Sequence, residues 1–514
     1  MSRGRLILVG AGPGDTGLLT LRGKQVLGEA DLIIYDYLVN PAHLAHARPE
    51  ARTIGVGKGF RHKKIPQERI HRLILSECRK GRTVVRLKGG DPYLFGRGAE
   101  EGLFAVTHRI PYESVPGVTS ATAVAAYAGV PLTHRHHNAS VTFLTGHRAA
   151  DDGLDTVSWR GIVSIGGTLV IYMGLYNLEL IARKLREHGM SVTTPVCVVE
   201  WGTLPRQRSV SGSLADIGPK VRAARLGPPS LIIVGEVARL RSRLNWYERL
   251  PLFGRTVMVT RAREGSSALS LKLRALGAQV VEAPVISIGP PASYAALDRA
   301  IGRLEVYDWI VLTSVHGVRA LFERLLCQGR DARALAGRRV ACVGPETAAE
   351  LRRHGIAADL VPAQGGNAGL LRALTRRLSK GCQVLLVRSA IAPDDLERGI
   401  AAVGARPVRV AGYTTQRGLK KLSDKTAMMH NMRQVEAVVF ASRSAVEGLQ
   451  RTLGTAAARR FLSARRSVCI GPSTAQALRR MGHRPFRLAA RPDLDALVRS
   501  TVSALSASPH GGRA

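Results

Sequence analysis

One local pattern recurs along this chain and limits its folds more than any other feature. A short apolar run rich in β-branched residues ends in a turn of small or polar residues, and a segment with helical periodicity follows. In the first 245 residues the apolar runs are RLILVG, DLIIYD, TVVRLK, SVTFLTG, TLVIYMG, PVCVVE and SLIIVGEV. Helices such as LLTLRGKQVLGEA and LELIARKLREHG lie between them, the second stopped by Gly189. Strands this apolar must be covered on both faces, so the alternation predicts an α/β protein. With 514 residues the chain exceeds a single core, and roughly two to four domains are expected.

A boundary falls near residues 245–254, where SRLNWYERLPLFGRTVMVTRA passes from a charged helical end through Pro251 and Gly254 into a new strand. This gives modules at 1–248 and 249–508, with the tail SALSASPHGGRA expected to fray. The second module repeats itself. DWIVLTSVHGVRALFERL resembles EAVVFASRSAVEGLQRTL, and RRVACVGPETAAELRRHGI resembles RSVCIGPSTAQALRRMGH. Each match carries a strand, a small-residue turn and a helix start, the mark of a duplicated α/β unit and hence of two lobes.

The formal net charge of +37 calls for a polyanionic partner. The Lys and Arg are dispersed, aromatics make up only 5%, and no zinc-finger or RRM pattern occurs. A polycarboxylate small molecule therefore fits better than nucleic acid, although a basic nucleic-acid-binding protein remains the alternative that charge alone suggests. Six cysteines without a CxxC pair suit reduced thiols in a cytoplasmic protein. The apolar run at Leu6–Val9 is cut short by Gly10, too short for a secretory signal. The longest uncharged run, GIVSIGGTLVIYMGLYNL, is interrupted by glycines and reads as a buried strand, not a membrane span.

The turn GAGPGD could open a dinucleotide site, which would make the chain an NAD-dependent oxidoreductase. Its spacing is wrong. Gly10, Gly12 and Gly14 give GxGxG, and Asp15 stands where the third glycine belongs. Pro13 lacks an N–H, and Asp15 would repel a pyrophosphate at a helix start. A second glycine-rich stretch, VVRLKGGDPYLFGRGAEE at 84–101, places one carboxylate between close-approach glycines. An acid there can hold an ammonium or a ribose hydroxyl, which suits a phosphate-free, positively charged nucleoside such as S-adenosylmethionine. Thr133-His134-Arg135-His136-His137 lacks a distant fourth ligand, so no metal site is expected.

VGAGPGDTGLLTLRG, IIYDYLV, VGKG, the GGDPYLFGRGAEE block, VPGVTSATAVAAYAGVPLTHR, VIYMG and VEWGT occur in that order. The ordered set resembles the uroporphyrinogen-III C-methyltransferases of the tetrapyrrole methylase family. The resemblance implies two α/β domains with S-adenosylmethionine between them, and a homodimer formed through this module. It implies a cofactor pocket lined by Pro13, Gly89, Gly90, Asp91, Leu94, Thr119, Ser120, Met173 and Gly202. It makes Asp36 the proton acceptor and Lys58 the proton donor. Relatives carry GKR where this chain has Gly57-Lys58-Gly59, and Arg61 is the candidate substitute for the missing arginine. The chemistry agrees: an electron-rich pyrrole carbon needs orientation more than a strong base, and a carboxylate can take the proton released afterwards.

Residues 254–505 resemble uroporphyrinogen-III synthase through TVMVTRA, PVISI, DWIVLTSVHGV, ACVGPETA, VAGYTT, VVFASRSAV and CIGPSTAQAL. That resemblance implies two lobes joined by crossing strands in PVISI and VRVAGYTT, with lobe one at 255–285 plus 415–508 and lobe two at 290–408. It implies hydroxymethylbilane as substrate and uroporphyrinogen III as product, which the first module would methylate to precorrin-2 for sirohaem or cobalamin. Ser314, Thr347, Ser442, Ser444 and Thr474 are expected at strand-to-helix turns, where hydroxyls and amides suit carboxylates, although Ser and Thr also favour such positions simply as caps. Tyr413 matches the family's tyrosine, the candidate acid for the leaving hydroxyl.

Overall fold

A computed structural model describes residues 4–57, 65–146, 157–260, 268–283, 285–364, 366–417 and 432–506. The chain divides into two compact units, one of Met1–Arg255 with Leu273–Gln279, the other of Thr256–Lys272 with Val280–Ala514.

The first unit contains two five-stranded sheets. β1 (Arg5–Gly10), β2 (Leu32–Tyr35), β3 (Arg52–Gly55), β4 (Thr83–Lys88) and β5 (Tyr112–Val115) form a parallel sheet in the order β3-β2-β4-β1-β5. Its side chains sort by the two-residue period of a strand. Leu6, Leu8, Leu32, Ile34 and Val84 enter one apolar cluster, and Ile7, Val9, Ile33, Val85 and Leu87 the other. Arg86 and Lys88 share the face of Val84 and are buried there too. β6 (Val141–Thr145), β7 (Thr168–Tyr172), β8 (Pro195–Glu200), β9 (Arg208–Ser213) and β10 (Ser230–Val234) form the second sheet, in the order β6-β7-β10-β8-β9. There β6 and β7 run parallel and the other pairings are antiparallel. The long uncharged run is only partly a strand. Trp159–Ile165 is a helix that stops at Gly166 and Gly167, both in the left-handed region, and β7 begins at Thr168.

The second unit also holds two sheets. Its strands are β11 (Thr256–Val259), β12 (Gln279–Glu282), β13 (Ile286–Gly289), β14 (Trp309–Leu312), β15 (Arg339–Cys342), β16 (Gln383–Ser389), β17 (Arg406–Arg417), β18 (Ala437–Phe440), β19 (Arg466–Cys469) and β20 (Arg487–Leu488). One sheet has the order β12-β11-β18-β19-β20, the other β13-β17-β16-β14-β15. β17 runs parallel to β16 as far as Tyr413, then antiparallel to β13 from Thr414 to Arg417. The segments that resemble each other in sequence start their helices alike. Ser314 caps the helix Val315–Cys327 at φ −167° and Ser442 caps the helix Arg443–Leu453 at φ −163°. Gly344 and Gly471 likewise precede Pro345–Arg353 and Pro472–Arg480 in extended backbone.

Among the described residues no helix is long and apolar enough to cross a membrane.

Candidate active site

In the first unit the tips of β1, β4 and β5 converge so closely that only glycine backbone fits. A Cβ added to Gly10 would lie 2.5 Å from the Gly117 Cα, and one on Gly117 would lie 2.3 Å from the Gly90 oxygen. The GAGPGD and GGDP turns are joined by paired hydrogen bonds. Gly90 N–H donates to the Gly12 carbonyl at 2.8 Å and Gly12 N–H to the Gly90 carbonyl at 3.2 Å. Both glycines have positive φ, +73° at Gly12 and +68° at Gly90.

Asp91 pins this junction. Its Oδ1 accepts from Tyr93 N–H at 2.8 Å and its Oδ2 from Gly117 N–H at 3.0 Å. Asp15, where a dinucleotide turn would have glycine, is committed elsewhere. It accepts from Gly17 N–H at 2.8 Å and from the Tyr127 hydroxyl at 2.6 Å, and its own N–H donates to Thr203 Oγ1 at 3.1 Å. Pro13 and Leu94 are half-buried beside these turns.

Thr119 ends in extended backbone ahead of the helix Ser120–Ala128, but its side chain does not cap it. The Tyr172 hydroxyl caps instead, accepting from Ala121 N–H at 2.9 Å and lying 2.6 Å from Thr119 Oγ1. Burial is the first reason that the Tyr172 phenol is pushed above its usual pKa. Its ring centroid stands 5.0 Å from that of Phe95. The next residue, Met173, is half-exposed with φ +53°, and Gly202 is flanked by Trp201 at +49° and Thr203 at +68°. Gly202 faces the same helix so closely that a Cβ would sit 2.5 Å from the Val124 methyls. Phe95 and Arg97 are left-handed as well. Such backbone is unfavourable for bulky residues and gathers at functional sites. Among the described residues, Met173 adopts it, Phe95, Arg97, Trp201 and Thr203 adopt it close in sequence to Asp91 and Gly202, and Arg109 and Arg225 adopt it just past the ends of two helices.

Asp36 follows β2, its N–H donating to the Leu87 carbonyl at 3.2 Å, and so stands beside the β4 tip. Arg86 pairs with it and also donates to Glu101 at 3.0 Å, and Lys88 donates to Glu101 at 3.2 Å. Arg86, Lys88 and Glu101 are buried, whereas the Asp36 side chain keeps a third of its surface exposed. Burial opposes the Arg86 cation, but Asp36 and Glu101 outweigh it and hold its pKa above the ordinary value. Burial, with Arg86 next, leaves Lys88 below the usual lysine range. Lys58 lies outside the described residues, as does Arg61.

In the second unit Ser314 and Tyr413 are brought together, Ser314 Oγ donating to the Tyr413 hydroxyl at 2.8 Å. The His316 ring centroid is 5.5 Å from that of Tyr413. Burial pushes the Tyr413 phenol up, against the Ser314 hydrogen bond. Ser442 and Ser444 pair at 3.0 Å. Thr347 and Thr474 are placed differently from the expected turn position. Each follows the helix-starting proline by two residues and is buried, at 4% and 1% exposure.

Sequence reasoning did not single out Tyr172, Tyr127, Thr203, Arg86, Lys88 or Glu101. Arg86 and Lys88 carried a signal, two cations at strand spacing on one face of an otherwise apolar run. The others act through tertiary contacts that no local pattern marks.

Residues 5–218 match the family model described as Tetrapyrrole (Corrin/Porphyrin) Methylases, and residues 267–499 the one described as Uroporphyrinogen-III synthase HemD. The chain is 34% identical to the porphyrin biosynthesis protein HemD of Ruminiclostridium josui over 498 residues, 97% of each chain. It is 39% identical to the uroporphyrinogen-III C-methyltransferase of Bacillus subtilis (strain 168) over 355 residues, 69% of this chain and 72% of that one. A siroheme synthase of Azotobacter vinelandii is 46% identical over 245 residues, 48% of this chain, which spans about half (52%) of that relative's length.

Fold and matches define a tetrapyrrole methylase module followed by a uroporphyrinogen-III synthase module, an enzyme pair of tetrapyrrole biosynthesis. The chain belongs to the family in which a uroporphyrinogen-III C-methyltransferase and HemD are joined in one polypeptide. The oxidoreductase and nucleic-acid-binding alternatives are set aside by these matches.

Proposed function

We propose that the two modules run consecutive steps. The second closes hydroxymethylbilane to uroporphyrinogen III with inversion of the last ring, and the first methylates that product to precorrin-2. The observation that carries this reading is the presence of both modules in one chain, at 5–218 and 267–499, because the product of one is the substrate of the other.

The glycine junction fits S-adenosylmethionine. A Cβ at Gly90 would meet nothing closer than the Ser120 nitrogen and Oγ at 3.9 Å, so the missing side chain leaves room above a helix start. Pro13, Gly89, Gly90, Asp91, Leu94, Thr119, Ser120, Met173 and Gly202 are the residues proposed to hold the cofactor. When bound, it supplies an electrophilic methyl group on a sulfonium. Asp91 keeps the two glycine turns and Gly117 in register. Asp36 accepts the proton lost from the methylated macrocycle, and the buried Arg86, paired with it, holds that carboxylate in place. Lys58 is proposed as the proton donor.

In the synthase module, Tyr413 donates its proton to the hydroxyl that leaves hydroxymethylbilane, so the carbon–oxygen bond breaks with the electron pair on oxygen and water departs. Burial favours this role by keeping the phenol neutral. Ser442 and Ser444 are offered to substrate carboxylates, Ser314 is held against Tyr413, and Thr347 and Thr474 lie buried in the first turns of their own helices. All six cysteines are free thiols, which supports a cytoplasmic setting. Leu103 and Val106, exposed on the helix Gly98–Thr107, support self-association of the methyltransferase module as a homodimer.

Separate assays on the full chain test the two steps. Hydroxymethylbilane alone should yield the type III isomer, and supplied uroporphyrinogen III should gain labelled methyl groups from S-adenosylmethionine. Only type I product in the first assay and no label in the second would overturn the proposal.

A further inference from the structure

Ser314 does two things with one hydroxyl. As the N-cap of the helix Val315–Cys327 its Oγ accepts from Gly317 N–H at 3.0 Å. The same group donates its proton to the Tyr413 oxygen at 2.8 Å. A serine hydroxyl has one proton to give, and a phenol that accepts it still has its own proton to give elsewhere.

The duplicated lobe supplies an internal control. Ser442 occupies the equivalent position with nearly the same backbone, φ −163° and ψ 158° against −167° and 160°. It caps its helix through Ala445 N–H at 3.2 Å, and its hydroxyl pairs with Ser444. Capping therefore does not require a tyrosine, and the bond to Tyr413 is an addition specific to the other lobe.

The strand that delivers Tyr413 is irregular at that point. Along β16 and β17, Arg388 faces Ala411 but Ser389 faces Tyr413, so Gly412 is an extra residue. A Cβ on Gly412 would lie 2.8 Å from Val387 Cγ1 and 3.2 Å from the Ala320 Cβ. A bulge of this kind re-aims the following side chain, here onto the start of the Ser314 helix.

We infer that Ser314 is a positioning residue for ring closure: it occupies the Tyr413 oxygen as an acceptor, so that the phenolic proton points away from the cap and is presented to the substrate. The inference rests on Tyr413 acting as the acid. It calls for an effect on kcat rather than on KM.

The test measures kcat, KM, the ratio of type III to type I product and the melting temperature of the full chain. Ser314→Ala, Ser314→Thr and Ser314→Asp are made in the native chain, and Ser314→Ala also in a Tyr413→Phe background. Ser314→Ala should lower kcat about tenfold, with KM little changed and more type I product. Ser314→Thr, which can both cap and donate, should recover most of that loss. Ser314→Asp should hold the melting temperature, because a carboxylate caps well, yet be as slow as Ser314→Ala, because it can only accept and would draw the phenolic proton to itself. With Phe at 413, Ser314→Ala should have no further effect on kcat. Equal slowing by Ser314→Ala in both backgrounds, or a fast Ser314→Asp enzyme, would overturn the inference while leaving Tyr413 as the acid. A Tyr413→Phe enzyme with native rate and isomer ratio would overturn both.

Discussion

Asp36 and Arg86 form an ion pair whose cation is buried and whose anion is partly exposed. Glu101, fully buried, takes the other side of the guanidinium, and Lys88 completes a group of two cations and two anions. The partly exposed member is the one proposed to meet the substrate. The buried three hold it in place, and each depends on the others for charge balance.

Asp36→Asn keeps the shape of the side chain and removes its charge. The variant should methylate uroporphyrinogen III at least about tenfold more slowly, with the affinity for S-adenosylmethionine retained in calorimetry. Glu101→Gln should behave differently, leaving Arg86 and Lys88 short of an anion in the interior and lowering stability by about 3–5 kcal/mol in denaturant titrations. An Asp36→Asn enzyme as fast as the native one would make Asp36 a structural residue.

Asp91→Ala frees two backbone N–H groups, those of Tyr93 and Gly117, and loosens the glycine junction. Cofactor affinity should fall at least about tenfold while type III isomer formation is unaffected. Native affinity in calorimetry would count against the proposed pocket.

His43 adds a pH dependence. It is fully buried in the turn Pro41–His46. Burial first, then His46, bring its pKa down to about 4 from 6.5, against the opposing pull of the Ala11 backbone and then of Asp15. Between those values the unfolded chain binds the proton and the folded chain does not, so stability is whole above pH 6.5 and declines as the pH falls toward 4. The loss from this group is at most about 3 kcal/mol. His43→Leu should flatten that part of the stability–pH curve, measured by urea titration, and an unchanged slope would show that other groups cause it.

What the sequence revealed follows a physical divide. Central strands were legible because burial on both faces makes them continuous apolar runs, as in RLILVG and SLIIVGEV. β3, β5 and β9 were not, because each lies at a sheet edge, where half-exposed residues such as Arg52, Glu113 and Arg208 break the run. The helix Trp159–Ile165 was hidden by its own apolarity, since periodicity cannot separate a short buried helix from a strand. Ser314 and Ser442 were readable as turn residues because capping is local chemistry. That Ser314 reaches Tyr413, 99 residues away, or that Tyr172 caps a helix begun 52 residues earlier, depends on strand order, which no local pattern encodes.

The central claim is that one chain carries substrate through both steps. The most direct measurement is to incubate the full-length protein with hydroxymethylbilane and methyl-labelled S-adenosylmethionine, then determine the mass and isomer type of the tetrapyrrole. The account predicts a type III macrocycle carrying labelled methyl groups. Unlabelled type I uroporphyrinogen as the sole product would contradict it.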